Sequence, residues 1–319
     1  MDRRSFLRVG ALSLVLGKFG IGEASAKNKK NEPFGPVTCE GALASEGDLA
    51  LRFLGTGAAG WKEGDSHFRR QSSVLLDAKV LIDFTKSAPA MMPEGCRPEV
   101  VFFTHSHGDH FGPEAALQAG VKRAYVSETW VERARAKFSA AAAKTGLPVA
   151  EVIPLKVGQV VEEEGLRFTA LPANHATGDL NEQSLIYLVE KGTTDEKLGV
   201  RLLYATDTGG ILGTAARLAG IDSHLNPGRP ITALIMEATM PMDMDEDFRI
   251  FNHSSALTVS RTANMLTETK RYLPPTGQPV YITHMMSSGP YPPHDKLNRE
   301  LPSPLRAAAD GLDIVLKAQ

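Results

Sequence analysis

Short apolar runs separated by turn-forming residues dominate the chain from about residue 49 onward. Residues 49–54 form one such run, which ends at Gly55-Thr56-Gly57, and residues 74–76 and 80–82 predict a β-hairpin. Residues 100–103 are all apolar, which is typical of a strand that is buried on both faces. The pattern therefore predicts a fold that is rich in short strands.

The rest of the chain continues this pattern and adds helices. Apolar runs predict further strands near residues 160–171, 184–189, 201–204, 231–236, 280–283 and 312–316. An alanine-rich, charged stretch at 130–144 is closed by Gly146 and predicts a helix, and residues 256–269 predict another. Strands of this density, mixed with surface helices, indicate two packed sheets flanked by helices in one domain.

The first 26 residues resemble a twin-arginine export signal. Arg3-Arg4-Ser5-Phe6-Leu7-Arg8 is followed by an apolar run at 9–16, and Ala24-Ser25-Ala26 supplies the small residues that a signal peptidase needs. The run is too short to span a bilayer, which takes about 20 residues, so we expect no stable membrane anchor. The alternative is a basic N-terminus beside a chance apolar run. We expect a signal peptide at 1–26, a lead-in segment at 27–47, a domain at 48–319 and a periplasmic location.

Composition and charge narrow the range of partners. The chain has 35 Lys and Arg against 37 Asp and Glu, a formal net charge of −2, which offers no basic field for a nucleic-acid backbone. We therefore expect a small-molecule substrate and no nucleic-acid partner, while a homodimer remains open. The two cysteines, Cys39 and Cys96, lack the spacing of a metal site. An oxidising compartment would allow a disulfide between them.

A cluster of histidines follows the apolar run 100–103. The stretch reads Thr104-His105-Ser106-His107-Gly108-Asp109-His110. His105 and His107 are two residues apart, so their imidazoles leave an extended backbone on the same side and can hold one ion. Gly108 lets the chain turn, after which Asp109 and His110 can reach a second ion. The alternative is a set of buried, hydrogen-bonded histidines without a metal.

The motif His-x-His-x-Asp-His after an apolar strand resembles the signature of the metallo-β-lactamase-fold hydrolases. Three later residues match that superfamily in order: His175 in Pro172-Ala173-Asn174-His175, Asp207 in Ala205-Thr206-Asp207, and His284 in Ile282-Thr283-His284. The resemblance implies an α+β protein with a four-layer αββα sandwich and a two-metal site. It implies one metal held by His105, His107 and His175, another held by Asp109, His110 and His284, and Asp207 as the bridge.

The same resemblance implies chemistry at this site. Two divalent ions, zinc or manganese, would ionise a bridging water near neutral pH, and Asp109 would orient that nucleophile while it ligates. The metal is not identified by the sequence, because histidines suit zinc while the carboxylates leave manganese or iron open.

Asp207 and a further histidine indicate which branch of the superfamily the chain resembles. The bridging Asp207 argues against the zinc β-lactamases, which generally lack it. His253 in Asn252-His253-Ser254-Ser255 is similar to the extra histidine of the phosphodiesterase branch, where it protonates the leaving oxygen as a general acid. The alternative is a residue at a helix start, with Ser254 or Ser255 as the cap.

Within that branch, two groups are most similar: the cyclic phosphodiesterases of the carbon–phosphorus lyase pathway and the tRNA 3′-processing endonucleases. The former share Gly55-Thr56-Gly57, Arg69-Arg70-Gln71 and Ala309-Asp310-Gly311-Leu312. The latter carry a tRNA-gripping arm between the positions of His175 and Asp207, where this chain has too few basic residues to form one. The resemblance therefore implies a small or cyclic phosphate ester as substrate.

Three residues are candidates for substrate contact. His67 lies in a stretch that should border the site, and Arg69 and Arg70 could meet a phosphate, although they could equally pair with carboxylates. Two other functions compete with the phosphodiesterase. A lactone or thioester hydrolase would use the same site with little need of His253, and a non-catalytic binding protein could retain the fold.

Overall fold

Two seven-stranded sheets form the framework of the described part of the chain, with strand orders β14-β1-β2-β3-β4-β5-β6 and β13-β12-β11-β10-β9-β8-β7. The strands are β1 Leu49–Gly55, β2 Ser73–Leu76, β3 Val80–Ile82, β4 Val100–Phe102, β5 Arg123–Ser127, β6 Glu151–Leu155, β7 Val160–Glu163, β8 Leu166–Pro172, β9 Leu185–Lys191, β10 Val200–Ala205, β11 Ala233–Glu237, β12 Val280–Thr283, β13 Leu305–Ala307 and β14 Asp313–Leu316. The α-helices are α1 Pro113–Ala119, α2 Val131–Thr145, α3 Gly213–Leu218, α4 Ala256–Glu268 and α5 His294–Glu300.

The computed structural model describes residues 47–194, 196–222, 228–244, 248–286 and 291–319, and all of them belong to one compact unit. The predicted signal peptide and all but the last residue of the lead-in segment lie outside the described residues. Cys39 also lies outside them, whereas Cys96 is disulfide-bonded. Among the described residues, no helix has the length and hydropathy that a membrane crossing requires.

Three hydrophobic layers hold these elements together. Side chains at alternate positions of both sheets, such as Phe102 and Phe168, meet in a central layer, where the two rings stack with centroids 3.9 Å apart. The opposite face of the first sheet packs against α1 and α2, and that of the second against α3, α4 and α5. This arrangement confirms the predicted αββα sandwich. It also explains the continuous apolar runs, because strands between two layers are buried on both faces.

Every predicted strand region and both predicted helices are present; residues 80–82 and 280–283 keep their predicted bounds, and the other elements have shifted ends. The run 160–171 proves to be two strands, β7 and β8, joined by a turn at Glu164 and Gly165. Sequence reasoning missed β5, β6 and β13 and the helices α1, α3 and α5. The missed helices have six or seven residues each, which is too short to show a clear 3.6-residue period.

Parallel pairing brings several strand ends to one edge. β3 and β4 pair in parallel in one sheet, as do β10, β11 and β12 in the other, so their carboxyl ends point the same way. Asp83, Asp207 and His284 follow β3, β10 and β12 closely, and all three have a positive φ, of 53°, 46° and 50°. Such backbone strain in non-glycine residues is typical of functional sites.

Candidate metal centre

Histidine and carboxylate side chains converge at this edge in four overlapping groups. Within each group the candidate ligand atoms lie within 4.8 Å of one another. The groups are His105, His107 and His175; Asp109, His110 and His284; His105, His110 and Asp207; and Asp207, Glu237, His253 and His284. The structure thus brings together all seven metal ligands expected from the sequence, and adds Glu237.

The first three histidines face one another through their ring nitrogens. Nε2 of His105 lies 2.9 Å from Nδ1 of His107, which lies 3.3 Å from Nε2 of His175. His175 donates from Nδ1 to the carbonyl oxygen of Asn252 at 3.2 Å. This bond turns Nε2 of His175 toward the other two rings, as a second partner commonly does for a metal-ligating histidine.

The second group is centred on His110 and His284. Their Nε2 atoms lie 3.1 Å apart, and Oδ2 of Asp109 lies 3.6 Å and 3.7 Å from them. Thr239 Oγ1 lies 2.9 Å from Nδ1 of His284 on the far side of the ring. Both rings therefore present Nε2 to a common point.

Asp207 lies between the two groups, at the position expected for a bridge. Its Oδ2 is 2.7 Å from Nε2 of His110 and 3.3 Å from Nε2 of His105. Its buried Oδ1 lies 3.2 Å from Nδ1 of both His253 and His284 but makes no hydrogen bond among the described residues. An orphaned carboxylate oxygen amid ring nitrogens fits a pair of divalent cations, because buried polar atoms otherwise find partners.

The electrostatics of His105 and Asp207 also suit metal ligation. Burial, with the neighbouring His110, holds the pKa of His105 well below its usual value, so the ring stays in the neutral form that ligates metals. Burial opposes ionisation of Asp207, but His284 and His110 outweigh it and hold the pKa of this carboxyl well below its usual range. Both His105 and Asp207 can therefore ligate a metal ion without first losing a proton.

Asp83 supports His110 from behind and was missed in the sequence. His110 donates from Nδ1 to Asp83 Oδ2 at 2.7 Å, and the other carboxylate oxygen accepts from the backbone N–H of Thr104 at 2.8 Å. Asp83 is fully buried. Its position directly after the apolar run 80–82 was the available signal, since it places a carboxylate at the same edge as the histidines.

Glu182 anchors the histidine motif from a distant loop and was also missed. It is buried and accepts hydrogen bonds from the N–H and Oγ of Ser106, at 2.8 and 2.7 Å. Arg133 of α2 forms an ion pair with it. Since Ser106 separates His105 from His107, Glu182 fixes the segment that positions both rings.

His253 lies at the site, next to the unexpected Glu237. Nδ1 of His253 is 3.1 Å from Glu237 Oε2, and its ring centre is 5.0 Å from that of His175. Burial lowers the pKa of His253, but Glu237 and Asp207 outweigh it and raise the pKa to about 10. His253 is therefore protonated at neutral pH, with Nε2 unbonded among the described residues.

Glu237 ends β11 and is fully buried. Its carboxylate also accepts from the N–H of Thr208 and the hydroxyl of Thr239. The signal in the sequence was a glutamate directly after the apolar run 231–236. Ser255 caps α4, as the helix-start alternative expected, by accepting from Thr258 N–H at 3.1 Å. His253 lies just before this cap and also belongs to a donor group, so the two interpretations are compatible.

The three candidates for substrate contact lie outside the four donor groups. His67 pairs with Asp65 at 2.9 Å and its side chain is 92% exposed. Arg69 donates to Thr56 Oγ1 and to the carbonyl oxygen of residue 308, each at 3.4 Å. Arg70 donates to the carbonyl oxygen of residue 87 at 2.6 Å. Contact between these residues and a substrate stays a prediction.

Comparison with known proteins agrees with this geometry. A family model described as the beta-lactamase superfamily domain matches residues 73–285, more than half of the chain. That range contains every residue of the four donor groups. No curated protein matches the sequence.

Several solved structures share the fold. A diphosphatase from the PhnP family superimposes with a TM-score of 0.58 at 20% identity, covering 85% of this chain and 98% of that one. YhfI from Bacillus subtilis gives 0.56 at 17% identity, covering 84% and 99%. Zinc-bound PqqB from Methylobacterium extorquens gives 0.57 at 16% identity, covering 83% and 99%. At these identities the likeness shows the fold alone.

Proposed function

The chain belongs to the beta-lactamase superfamily, and from that premise we propose that it is a two-metal phosphodiesterase acting on a small or cyclic phosphate ester. The expected metals are zinc or manganese, held by the donor groups around Asp207.

The twin-arginine-like N-terminus supports export to the periplasm. Removal of both arginines should then retain the protein in the cytoplasm, as cell fractionation would detect.

The observation that carries the proposal is the pairing of His253 with Glu237 beside Asp207. Their 3.1 Å contact joins a ring nitrogen to a fully buried carboxylate, which fixes the ring and leaves Nε2 directed away from it. Cleavage of a phosphodiester expels an alkoxide, a strong base that needs a proton as it leaves. A thioester hydrolase on the same metals would have less use for this pair, because a departing thiolate is a weaker base than an alkoxide.

Divalent ions bound at the two groups would ionise water near neutral pH and neutralise charge on the phosphoryl oxygens. The remaining work falls to side chains. Asp109 lies beside Nε2 of both His110 and His284 and can accept a hydrogen bond from the attacking water. His253 donates its proton to the leaving oxygen, and Glu237 and Asp83 hold the rings of His253 and His110 in place.

One of the solved structures that share the fold is described as a diphosphatase, an enzyme that acts on phosphate groups. This description supports the proposal without identifying a substrate. The test is turnover of bis(p-nitrophenyl) phosphate by protein that has been stripped of metal and then reloaded with zinc or manganese. We expect release of p-nitrophenolate only after reloading. Two bound metals without release would refute the phosphodiesterase and leave a lactone or thioester hydrolase. Less than one bound metal per chain would favour a non-catalytic binding protein.

A further inference from the structure

A cavity of about 300 Å³ opens beside the first histidine group, with His175 in its wall. Two large apolar side chains line it and yet face solvent: Leu180 is 95% exposed and Phe251 is 73% exposed. Single exposed apolar residues are common on proteins. Two that line one cavity at the edge of a polar metal centre have the arrangement of a ligand site, which combines apolar walls with a few polar groups.

The cavity lies next to His253, because two of the residues that line it, Phe251 and Asn252, immediately precede His253 in the chain. Asn252 is fixed at two points: its carbonyl oxygen accepts from His175 at 3.2 Å, and its Oδ1 accepts from the N–H of Ala176 at 2.9 Å. Asn252 therefore holds Phe251 and His253 in fixed relative positions. A substituent on the oxygen that His253 protonates would contact the side chain of Phe251.

The polar atoms of the wall favour an uncharged ring. Asn174 and Gln183 donate from their amide nitrogens to the carbonyl oxygens of residues 209 and 184, at 3.1 and 2.7 Å. Their amide oxygens and Nδ2 of Asn252 make no hydrogen bond among the described residues, so the wall offers both acceptors and a donor. The lining includes Asp179 and Glu182 but neither Lys nor Arg, which disfavours a second phosphate.

We propose that this cavity is the subsite for the leaving group and that it takes a neutral aromatic or heteroaromatic ring between Phe251 and Leu180. Phosphodiesters with a ring on the departing oxygen are then the preferred substrates. This inference rests on the proposed function for the identity of the departing group. Recognition of the ring itself can be measured without turnover.

The binding test uses two anions that differ by one ring, phenylphosphonate and methylphosphonate, titrated calorimetrically into the metal-loaded protein. We expect phenylphosphonate to bind about tenfold more tightly, which corresponds to partial burial of one ring. Phe251→Ala should abolish the difference. Met265→Ala removes a large apolar side chain that is 61% exposed on α4, outside the cavity lining, and should preserve the difference. Equal binding of the two anions by the unmodified protein would overturn the proposal.

A kinetic test places the ring on the leaving side. Ethyl p-nitrophenyl phosphate and bis(p-nitrophenyl) phosphate share a leaving group, so Phe251→Ala should raise KM by a similar factor for both. An effect on the second substrate alone would assign the cavity to the retained group and overturn the leaving-side placement. A ring preference in binding without hydrolysis of any diester would refute the proposed function while the ring subsite stands.

Discussion

Replacement of His253 by alanine should slow the enzyme in proportion to the basicity of the leaving group. The structure sets the size of the effect. With a pKa of about 10, the ring at pH 7 carries its proton in a roughly thousandfold excess over the neutral form. A positioned acid of this kind contributes about 10²- to 10⁴-fold to a rate. That contribution is required for a basic phenolate and nearly dispensable for p-nitrophenolate, which is a weak base.

The assay compares kcat for ethyl phenyl phosphate and ethyl p-nitrophenyl phosphate with the metal-loaded enzyme. His253→Ala should lose about 10²-fold or more on the phenyl ester and only a few-fold on the nitrophenyl ester. His294→Ala serves as the matched control, because His294 begins α5 and belongs to none of the four donor groups. An equal loss on both esters would refute the general-acid role and would point to damage to the metal centre.

Glu237→Gln tests the positioning of that acid. Glu237 is the largest influence that raises the pKa of His253 against burial, so the neutral amide should lower this pKa. His253 would then lose its proton at a lower pH, and the alkaline limb of the rate profile should move to lower pH, in variant protein whose metal content is checked by elemental analysis. An unchanged alkaline limb would show that Glu237 does not set the protonation of His253.

The remaining predictions concern metal affinity and stability. Asp207→Ala should reduce bound metal from two ions to one or none, measured by elemental analysis, because it removes the carboxylate that lies between the two groups, near His105 and His110. Glu182→Gln should weaken metal binding about 10- to 100-fold in a chelator competition, as loss of a group that orients a ligand typically does. Asp179→Asn removes the charge of the more exposed carboxylate that pairs with Arg133 and keeps an oxygen for the N–H of Asn181, so this variant should bind metal normally. Phe138→Ala should lower the free energy of unfolding of the metal-free protein by about 3–5 kcal/mol in urea titration, since the ring is fully buried.

Each of these has a clear contrary outcome. Two tightly bound metals and full activity in Asp207→Ala would refute the shared ligand. Equal metal affinity in Glu182→Gln and Asp179→Asn would mean that the buried carboxylate does not position the histidines. A loss of less than 1 kcal/mol in Phe138→Ala would show that the layer beneath α2 collapses around the missing ring.

The sequence by itself determined the fold and most of the donor set. Apolar runs such as 100–103 have the composition of strands covered on both faces, and the central and outer layers around β4 confirm that arrangement. The motif from His105 to His110 is local, so its spacing alone indicates which rings share a side. His175, Asp207 and His284 could be assigned only because the order of motifs resembles a known family.

Tertiary structure alone decided which distant groups meet. Glu182 reaches Ser106 across 76 residues. Glu237 at the end of β11 meets His253 because the loop before α4 returns to this edge, where Ser254 Oγ donates to the carbonyl oxygen of Thr208 at 2.8 Å. Residue periodicity records which face of a strand is buried, but it carries no information on the order of strands in a sheet. The exposed pair Leu180 and Phe251 lies 71 positions apart along the chain, and only the packing of their loops makes them line one cavity.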